Sequence, residues 1–166
     1  MGEIKFTQKQ LEEEARKFLK EVFDMDLKIP VVISNKMKSS FGMFRHYTDR
    51  KESIDIRISE NLLKYYTEEE ILGTLKHECV HYALYEMGKP YRDGDFWFEQ
   101  VLRLYNIPRT ETKKFKGEAY KYECSDCGRN FIKKRKGFEK SHITSCCNAE
   151  IKYVGTVLVG VADSAK

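Results

Sequence analysis

The chain has 166 residues, of which 41% are hydrophobic and 34% charged, so it can bury one core and is neither a multidomain machine nor a disordered chain. It has no apolar run of roughly 20 residues and no apolar signal-peptide core, so we expect a cytoplasmic protein without a membrane partner. The charge is uneven, because residues 1–107 carry 17 Lys and Arg against 19 Asp and Glu, whereas residues 108–155 carry 12 against 6.

The first third of the chain predicts one helix followed by three short strands. Thr7 begins a capping-box sequence, and apolar residues then recur at helical intervals over residues 8–23. A β-branched run at 31–34, a second run at 41–47 and the period-two alternation at 54–58 are typical of strands. We expect these strands to form a short meander.

A second helix is delimited at both ends. Thr67 and Glu70 have the spacing of another capping box, and the acidic first turn suits the positive end of the helix dipole. The helix is predicted to continue to about Met87, where Gly88 and Pro90 stop it.

The chain is expected to divide into two domains. A further helix is predicted over residues 96–105, and beyond Pro108 the composition changes to Lys, Cys and Gly, as in a small unit held by a metal. We place the boundary within residues 108–119. The first domain is then 1–108, and the second is 109–166 with a closing strand and a tail.

The second helix contains the sequence His-Glu-Cys-Val-His at 77–81, an HExxH motif. Residues four apart on a helix differ by about 40° around the axis and about 6 Å along it, so His77 and His81 can face one ion. Zinc lowers the pKa of a bound water to about 7, and Glu78 is placed to take its proton for attack on a carbonyl. The motif predicts metal-dependent hydrolysis. The alternative is that these are core histidines beside a solvated glutamate. Cys79 is expected to be a small buried residue rather than a nucleophile.

A catalytic zinc usually takes three protein ligands, so a third must come from outside the motif. The chain turns after Gly88, and either Asp93 or Asp95 can approach the ion from the start of the next helix. Glu86 and Glu99 are weaker candidates because they occupy plain helical surface positions. A turn and a helix N-cap would also explain an Asp-Gly-Asp sequence, and one aspartate can serve each purpose.

Several segments around the motif share one pattern, namely HECVHY at 77–82, GK at 88–89, YR at 91–92 and the stretch 98–109. They resemble the SprT-like zinc metallopeptidases, the group that includes Spartan, and particularly its short bacterial or phage-type members. The resemblance covers roughly residues 5–155 and implies a zincin-like fold, peptide-bond hydrolysis and a C-terminal zinc ribbon. In that family a histidine after the active-site helix completes the zinc site. Without gaps it falls on Asp93, a competent oxygen ligand that should alter metal affinity and water acidity.

The cysteines indicate a second metal site. An odd total of five and the sequence CSDCG at 124–128 favour a zinc knuckle over disulfides, with a glycine that permits the left-handed turn. A ribbon needs another pair about 15 to 20 residues on, where the adjacent Cys146 and Cys147 lie. Because adjacent side chains diverge in extended backbone, we expect His142 to contribute. A redox dithiol is the competing interpretation. The predicted ligands of this structural zinc are Cys124, Cys127, His142 and Cys147, with Cys146 as the alternate.

A basic segment with interleaved aromatic residues lies between the two cysteine pairs. Such a surface can contact phosphates and stack single-stranded bases on a ring. The charge asymmetry and the family's association with DNA-bound proteins favour DNA, preferably single-stranded, although ribbon packing also accounts for Phe131 and Ile132. The candidate nucleic-acid-binding residues are Arg129, Lys133, Lys134, Arg135 and Lys136.

We therefore predict an α+β protein with a zincin-like metallopeptidase domain, helices packed on a small β-sheet, followed by a zinc ribbon. In this hypothesis His77, His81 and Asp93 hold a catalytic zinc, Glu78 deprotonates its water, and the hydroxide attacks a peptide substrate, a DNA-associated protein. The substrate class follows from the resemblance. The alternative is a nucleic-acid-binding or regulatory zinc protein whose HExxH site is structural or vestigial.

Overall fold

A computed structural model describes residues 3–109 and 114–161 of the chain. The chain divides into two compact units, Met1–Lys113 and Lys114–Lys166. Part of the boundary segment proposed from the sequence and the C-terminal tail at 163–166 lie outside the described residues. Within the described ranges, no helix is long and apolar enough to cross a membrane.

The first unit combines helices with a three-stranded sheet. The helices and strands predicted in this part of the chain are confirmed, and a short helix after the third strand is additional. In chain order the elements are α1 (Gln8–Phe23), β1 (Val31–Ser34), β2 (Gly42–His46), β3 (Ser53–Ser59), α2 (Glu60–Tyr65), α3 (Glu68–Glu86) and α4 (Phe96–Leu104). The mixed α+β class is therefore confirmed.

The sheet has the order β1-β3-β2, with β1 parallel and β2 antiparallel to β3. The predicted meander is therefore wrong. The physical reason is that β3 carries the fully buried Ile56 and Ile58 and belongs in the centre, where both of its edges are paired. The buried Asp55 of β3 also forms an ion pair with Arg45 of β2, with 2.6 Å between the charged atoms, which favours β2 as a neighbour of β3. Within the described residues, β2 is an edge strand of this sheet.

Helix α3 is the central element of the first unit. It begins at the predicted capping box of Thr67 and Glu70 and contacts α1, α4, β2 and β3. Because neighbours surround it, most of its residues are buried, including Cys79 at 0% exposure, as predicted. A helix held on several sides fixes its side chains in position, and those of the HExxH motif lie on it.

The second unit is a small antiparallel sheet. Its strands are β4 (Gly117–Cys124), β5 (Asn130–Lys133) and β6 (Ile151–Val159), in the order β5-β4-β6, with a single 3-10 turn at Phe138–Lys140. Strand β6 confirms the predicted closing strand. Few residues of this unit are buried, with Tyr122 the largest at 0% exposure. So small a core normally needs a metal or a crosslink for stability.

Candidate metal centres

The first candidate centre lies on α3. One ligand atom from each of His77, Glu78 and His81 falls within 4.8 Å of the others, and all three residues are largely buried. This arrangement follows from the four-residue spacing of the histidines on one helix. A group of this kind can hold a metal ion.

The side chain of Asp93 lies next to the two histidines of this centre. Its Oδ1 is 3.1 Å from Nε2 of His77 and 3.5 Å from Nε2 of His81. Ligand atoms bound tetrahedrally to one ion at about 2.0 to 2.1 Å are separated by about 3.3 Å. Both distances from Asp93 are therefore compatible with ligands of a single ion. The Asp93 side chain is 57% exposed and lies on the solvent side of the centre.

The other carboxylates considered from the sequence have different partners. Asp95 precedes α4 and accepts a hydrogen bond from the Arg92 backbone N–H at 2.8 Å, which is the turn role foreseen for one aspartate. Glu86 accepts a hydrogen bond from the Ser53 hydroxyl. Glu99 accepts a hydrogen bond from the Gly94 N–H and pairs with a guanidinium.

The two histidines are oriented by backbone carbonyls. Nδ1 of His77 lies 3.2 Å from the Pro108 oxygen, and Nδ1 of His81 lies 2.5 Å from the Tyr91 oxygen. A neutral imidazole that donates from Nδ1 keeps its lone pair on Nε2, and such hydrogen bonds are typical of metal-binding histidines. Burial lowers the pKa of His81 and favours this neutral form. Because both Nδ1 atoms face backbone carbonyls, the two Nε2 atoms beside Asp93 are the ones available to a cation.

Glu78 is a buried carboxyl group beside this centre. The Phe44 backbone N–H donates to it, and burial, assisted by the nearby Asp93, raises its pKa to about 8. Gly42 makes room for it, because a Cβ there would lie 2.7 Å from Glu78 Oε1. The group is held close to the pKa expected of an acid or base that works near neutral pH.

The centre opens into a cleft of about 500 Å³, one side of which is formed by β2. Neither this wall nor the carbonyls of Tyr91 and Pro108 was predicted from the motif. The lining residues are Gly42, Met43, Phe44, His46, His77, Glu78, His81, Tyr91, Arg92 and Asp93.

The second candidate centre consists of four thiols. One Sγ atom from each of Cys124, Cys127, Cys146 and Cys147 lies within 4.8 Å of the others. Sγ of Cys127 and Sγ of Cys146 are 3.6 Å apart, close to the separation of about 3.8 Å expected for tetrahedral bonds of about 2.3 Å. Backbone donation from Cys127 lowers the pKa of Cys124 to about 6, so one thiolate forms easily.

The ligand set expected from the sequence differs from this cluster, because His142 is not among the four grouped residues. Its Nδ1 faces the Ser141 hydroxyl at 2.8 Å, and its ring stacks on Phe138 at 4.0 Å. Cys146, the alternate in the sequence-based set, joins the cluster together with Cys147.

A second knuckle explains how the adjacent Cys146 and Cys147 can both belong to the four-thiol group. In the first knuckle the Gly128 N–H donates to the Cys124 oxygen at 3.0 Å, and in the second the Asn148 N–H donates to the Thr144 oxygen at 2.9 Å. Gly128 and Asn148 both have a left-handed backbone, with φ of 70° and 51°. Thr144 therefore stands where a paired knuckle would have its first cysteine. Its hydroxyl contacts Cys124 Sγ at 3.3 Å, and Cys146 supplies the fourth thiol.

The candidate nucleic-acid-binding residues are all exposed and belong to the second unit. Lys133 lies over the Phe138 ring at 4.6 Å, and Lys136 lies over the Tyr153 ring at 5.4 Å. Lys134 lies over Phe115 at 4.9 Å. The remaining two are Arg129 and Arg135.

The fold and the two centres define a mixed α+β protein with two groups of side chains that can bind metal. The model of the SprT-like family matches residues 8–113, and the chain belongs to that family. It is 28% identical over 149 residues to Protein SprT-like of Bacillus cereus (strain ATCC 14579), covering 85% of this chain and 95% of the relative. It is 36% identical over 107 residues to Protein SprT-like of Bacillus subtilis (strain 168), covering 61% and 71%. The family resemblance inferred from the sequence is confirmed.

Proposed function

We propose that the first unit is a zincin-like zinc metallopeptidase that hydrolyses peptide bonds. The observation that carries the proposal is the approach of Asp93 Oδ1 to both Nε2 atoms, at 3.1 and 3.5 Å, beside the buried carboxyl of Glu78. Two imidazoles and one carboxylate are a known ligand set for catalytic zinc that leaves a position open. Zinc, when bound, supplies the Lewis acidity that polarises a carbonyl group and acidifies water.

Glu78 moves the protons in this proposal. It takes a proton from the attacking water and delivers it to the leaving amine. The Phe44 N–H holds one carboxylate oxygen, and Gly42 leaves space for the side chain, so the carboxyl faces the cleft in one orientation. The backbone carbonyls of Pro108 and Tyr91 accept hydrogen bonds from Nδ1 of His77 and His81 and so fix the tautomer of each ring. In this proposal the two histidines do not exchange protons.

The cleft suits an extended peptide. Strand β2 lines it and is paired with β3 on one side only. An edge strand offers backbone donors and acceptors to a further strand, which is a common way to bind an extended peptide segment. We propose that the substrate lies along β2, with its scissile bond near Phe44 and Glu78.

A zinc count and a cleavage assay test this proposal. Wild type should contain two zinc ions per chain, one lost in His77→Ala and the other in Cys124→Ala. Wild type should cleave a denatured DNA-binding protein, and Glu78→Gln should retain zinc but lose the activity by orders of magnitude. Equal cleavage by Glu78→Gln would exclude Glu78 as the base. A wild type that contains a single zinc, which His77→Ala still retains, would leave only the alternative of a structural or vestigial site.

We further propose that the second unit holds a structural zinc on its four thiols and binds single-stranded DNA, which would direct cleavage to DNA-associated proteins. The supporting observation is a set of five exposed cations, three of which lie over aromatic rings. Phosphate contacts make affinity fall steeply with salt. Replacing Lys133 and Arg135 by Ala should reduce that slope by about 1 to 2, with Lys17→Ala on α1 as the control. A flat salt response of the wild type would reject this binding mode.

A further inference from the structure

We propose that a basic cavity next to the cleft binds the carboxylate of an acidic substrate side chain, so that the protein prefers substrates with Asp or Glu near the cleaved bond. This inference rests on the proposed peptidase function and names its specificity. The cavity has a volume of about 490 Å³. It is lined by four cations and by aromatic rings, and its lining contains no Asp or Glu from the described parts of the chain.

Three of the cations lack an anionic partner. Within the ranges that the structure describes, Lys51, Lys89 and Arg92 form no ion pair, whereas Arg50 pairs with Glu52 at 2.6 Å. Lys89 Nζ lies 4.8 Å from the centre of the Trp97 ring. A cavity with three uncompensated positive charges is complementary to an anion.

Lys51 lies close to the turn that follows α3. Gly88 has a φ of 69°, and a Cβ placed on it would lie 3.4 Å from Nζ of Lys51. Lys89 follows directly in the chain and lines the same cavity. The two lysines therefore come from separate segments and converge here because of the fold.

The cavity adjoins the cleft. His46, Tyr91 and Arg92 line both, and the Tyr91 hydroxyl lies 2.9 Å from His46 Nε2 where the two adjoin. Strand β2 runs along the cleft, and Tyr47, the residue after it, lines the cavity. At about 3.3 Å per residue, Tyr47 lies at most about 10 Å along the strand direction from Phe44, because the pairing of β2 with β3 is irregular between Arg45 and His46. An extended peptide would therefore place a side chain in the cavity about three residues from the cleaved bond.

The position of the cavity beside the cleft favours a peptide carboxylate over a nucleic-acid phosphate as the occupant. A substrate that extends along β2 past Phe44 towards Tyr47 would bring a side chain to these cations. The carboxylate would make charge-assisted contacts with Lys51, Lys89 and Arg92. Several exposed pairs acting together correspond to a preference of about tenfold.

Twin peptides test the inference on the full-length, zinc-loaded protein. Peptides that the wild type cleaves are resynthesised with Glu or Gln at each position up to four residues from the cleaved bond, and kcat/KM is compared. We expect the Glu twin to be cleaved about tenfold faster at one position, about three residues from the bond. The double variant Lys51→Met, Lys89→Met should bring the ratio close to one, and the matched surface variant Lys17→Met should not change it. A ratio of one at every position, or a ratio that survives in the double variant, would overturn the inference while leaving the peptidase function intact.

A binding measurement separates this inference from the peptidase function. Trp97 is the only tryptophan of the chain and lies under Lys89, so its fluorescence reports on the cavity. Zinc-loaded Glu78→Gln should bind the Glu twin about tenfold more tightly than the Gln twin, and the two lysine substitutions should abolish the difference. That result supports the cavity even if the wild type cleaves no peptide. Equal binding of the twins, with single-stranded oligonucleotide binding that depends on Lys51 and Lys89, would assign the cavity to phosphate and overturn the proposal.

Discussion

Replacing Glu78 by Gln is expected to stabilise the metal-free protein at neutral and alkaline pH, although it removes the proposed base. The Glu78 carboxyl is 5% exposed, and burial raises its pKa from 4.5 to about 8. In the unfolded chain the group is ionised above its ordinary pKa, so folding at neutral pH requires it to bind a proton. Gln resembles the protonated acid in shape, keeps an acceptor for the Phe44 N–H and cannot ionise.

The size of the effect follows from the two pKa values. Below pH 4.5 the carboxyl is protonated in both the folded and the unfolded protein, so the stability of the folded state is not reduced. Between pH 4.5 and about 8 only the unfolded chain ionises, and the free energy of unfolding falls as the pH rises through this range. At about 1.36 kcal/mol per pKa unit, the loss is at most about 5 kcal/mol above pH 8. Relaxation and water entry reduce such penalties, so we expect Glu78→Gln to gain about 2 to 3 kcal/mol over wild type at pH 8 and almost nothing at pH 4.5.

Urea unfolding of chelator-treated protein at several pH values measures this difference. Any metal lost from the cysteine cluster is lost from both proteins alike, and Glu69→Gln, at an exposed position on α3, is the matched control. With zinc the advantage of Glu78→Gln should shrink, because a nearby cation favours the ionised carboxylate. Identical pH profiles for wild type and Glu78→Gln without metal would refute the assignment of a raised pKa to this buried group.

Three further substitutions test the two centres. Gly42→Ala should slow cleavage by about a hundredfold with little loss of zinc, because the added Cβ would lie 2.7 Å from Glu78 Cγ and Oε1; steady-state hydrolysis and metal content distinguish these effects. Asp93→Ala should weaken zinc binding in the first unit by about 100-fold or more, whereas Asp93→His should retain it, as measured by competition with a chromophoric chelator. Cys146→Ser should lose the zinc of the second unit and His142→Ala should keep it, which metal analysis per chain can decide.

The parts of the fold that the sequence predicted depend on local chemistry. Thr7 and Thr67 both form the capping boxes expected from their spacing, and α1 and α3 begin directly after them. The approach of His77 and His81 follows from helix geometry alone. These features involve residues within four positions of each other, so no knowledge of the tertiary structure was needed.

Features that depend on distant parts of the chain were not predicted. The parallel pairing of β1 with β3 depends on which strand is buried most deeply. The short helix α2 begins at Glu60, after Ser59, which forms no side-chain cap. The sequence-based set placed His142 rather than Cys146 beside the other three thiols for a similar reason. The second knuckle has Thr144 where its first cysteine would be, so its sequence lacks the usual pair of spaced cysteines. It also ends in a left-handed Asn148, and asparagine indicates such a turn less strongly than Gly128 does in the first knuckle.

Two glycines carry a signal for the surroundings of the first centre. Gly73 lies inside α3, where glycine costs about 0.5 to 1 kcal/mol relative to alanine, and Gly42 lies at the start of β2. A Cβ at Gly73 would lie 2.8 Å from Pro108 Cγ, and the Pro108 carbonyl accepts the hydrogen bond from Nδ1 of His77. Gly42 makes the corresponding space for Glu78. Because each glycine allows a close approach that fixes one residue of the motif, an unfavourable glycine near a metal motif indicates where its supporting contacts lie.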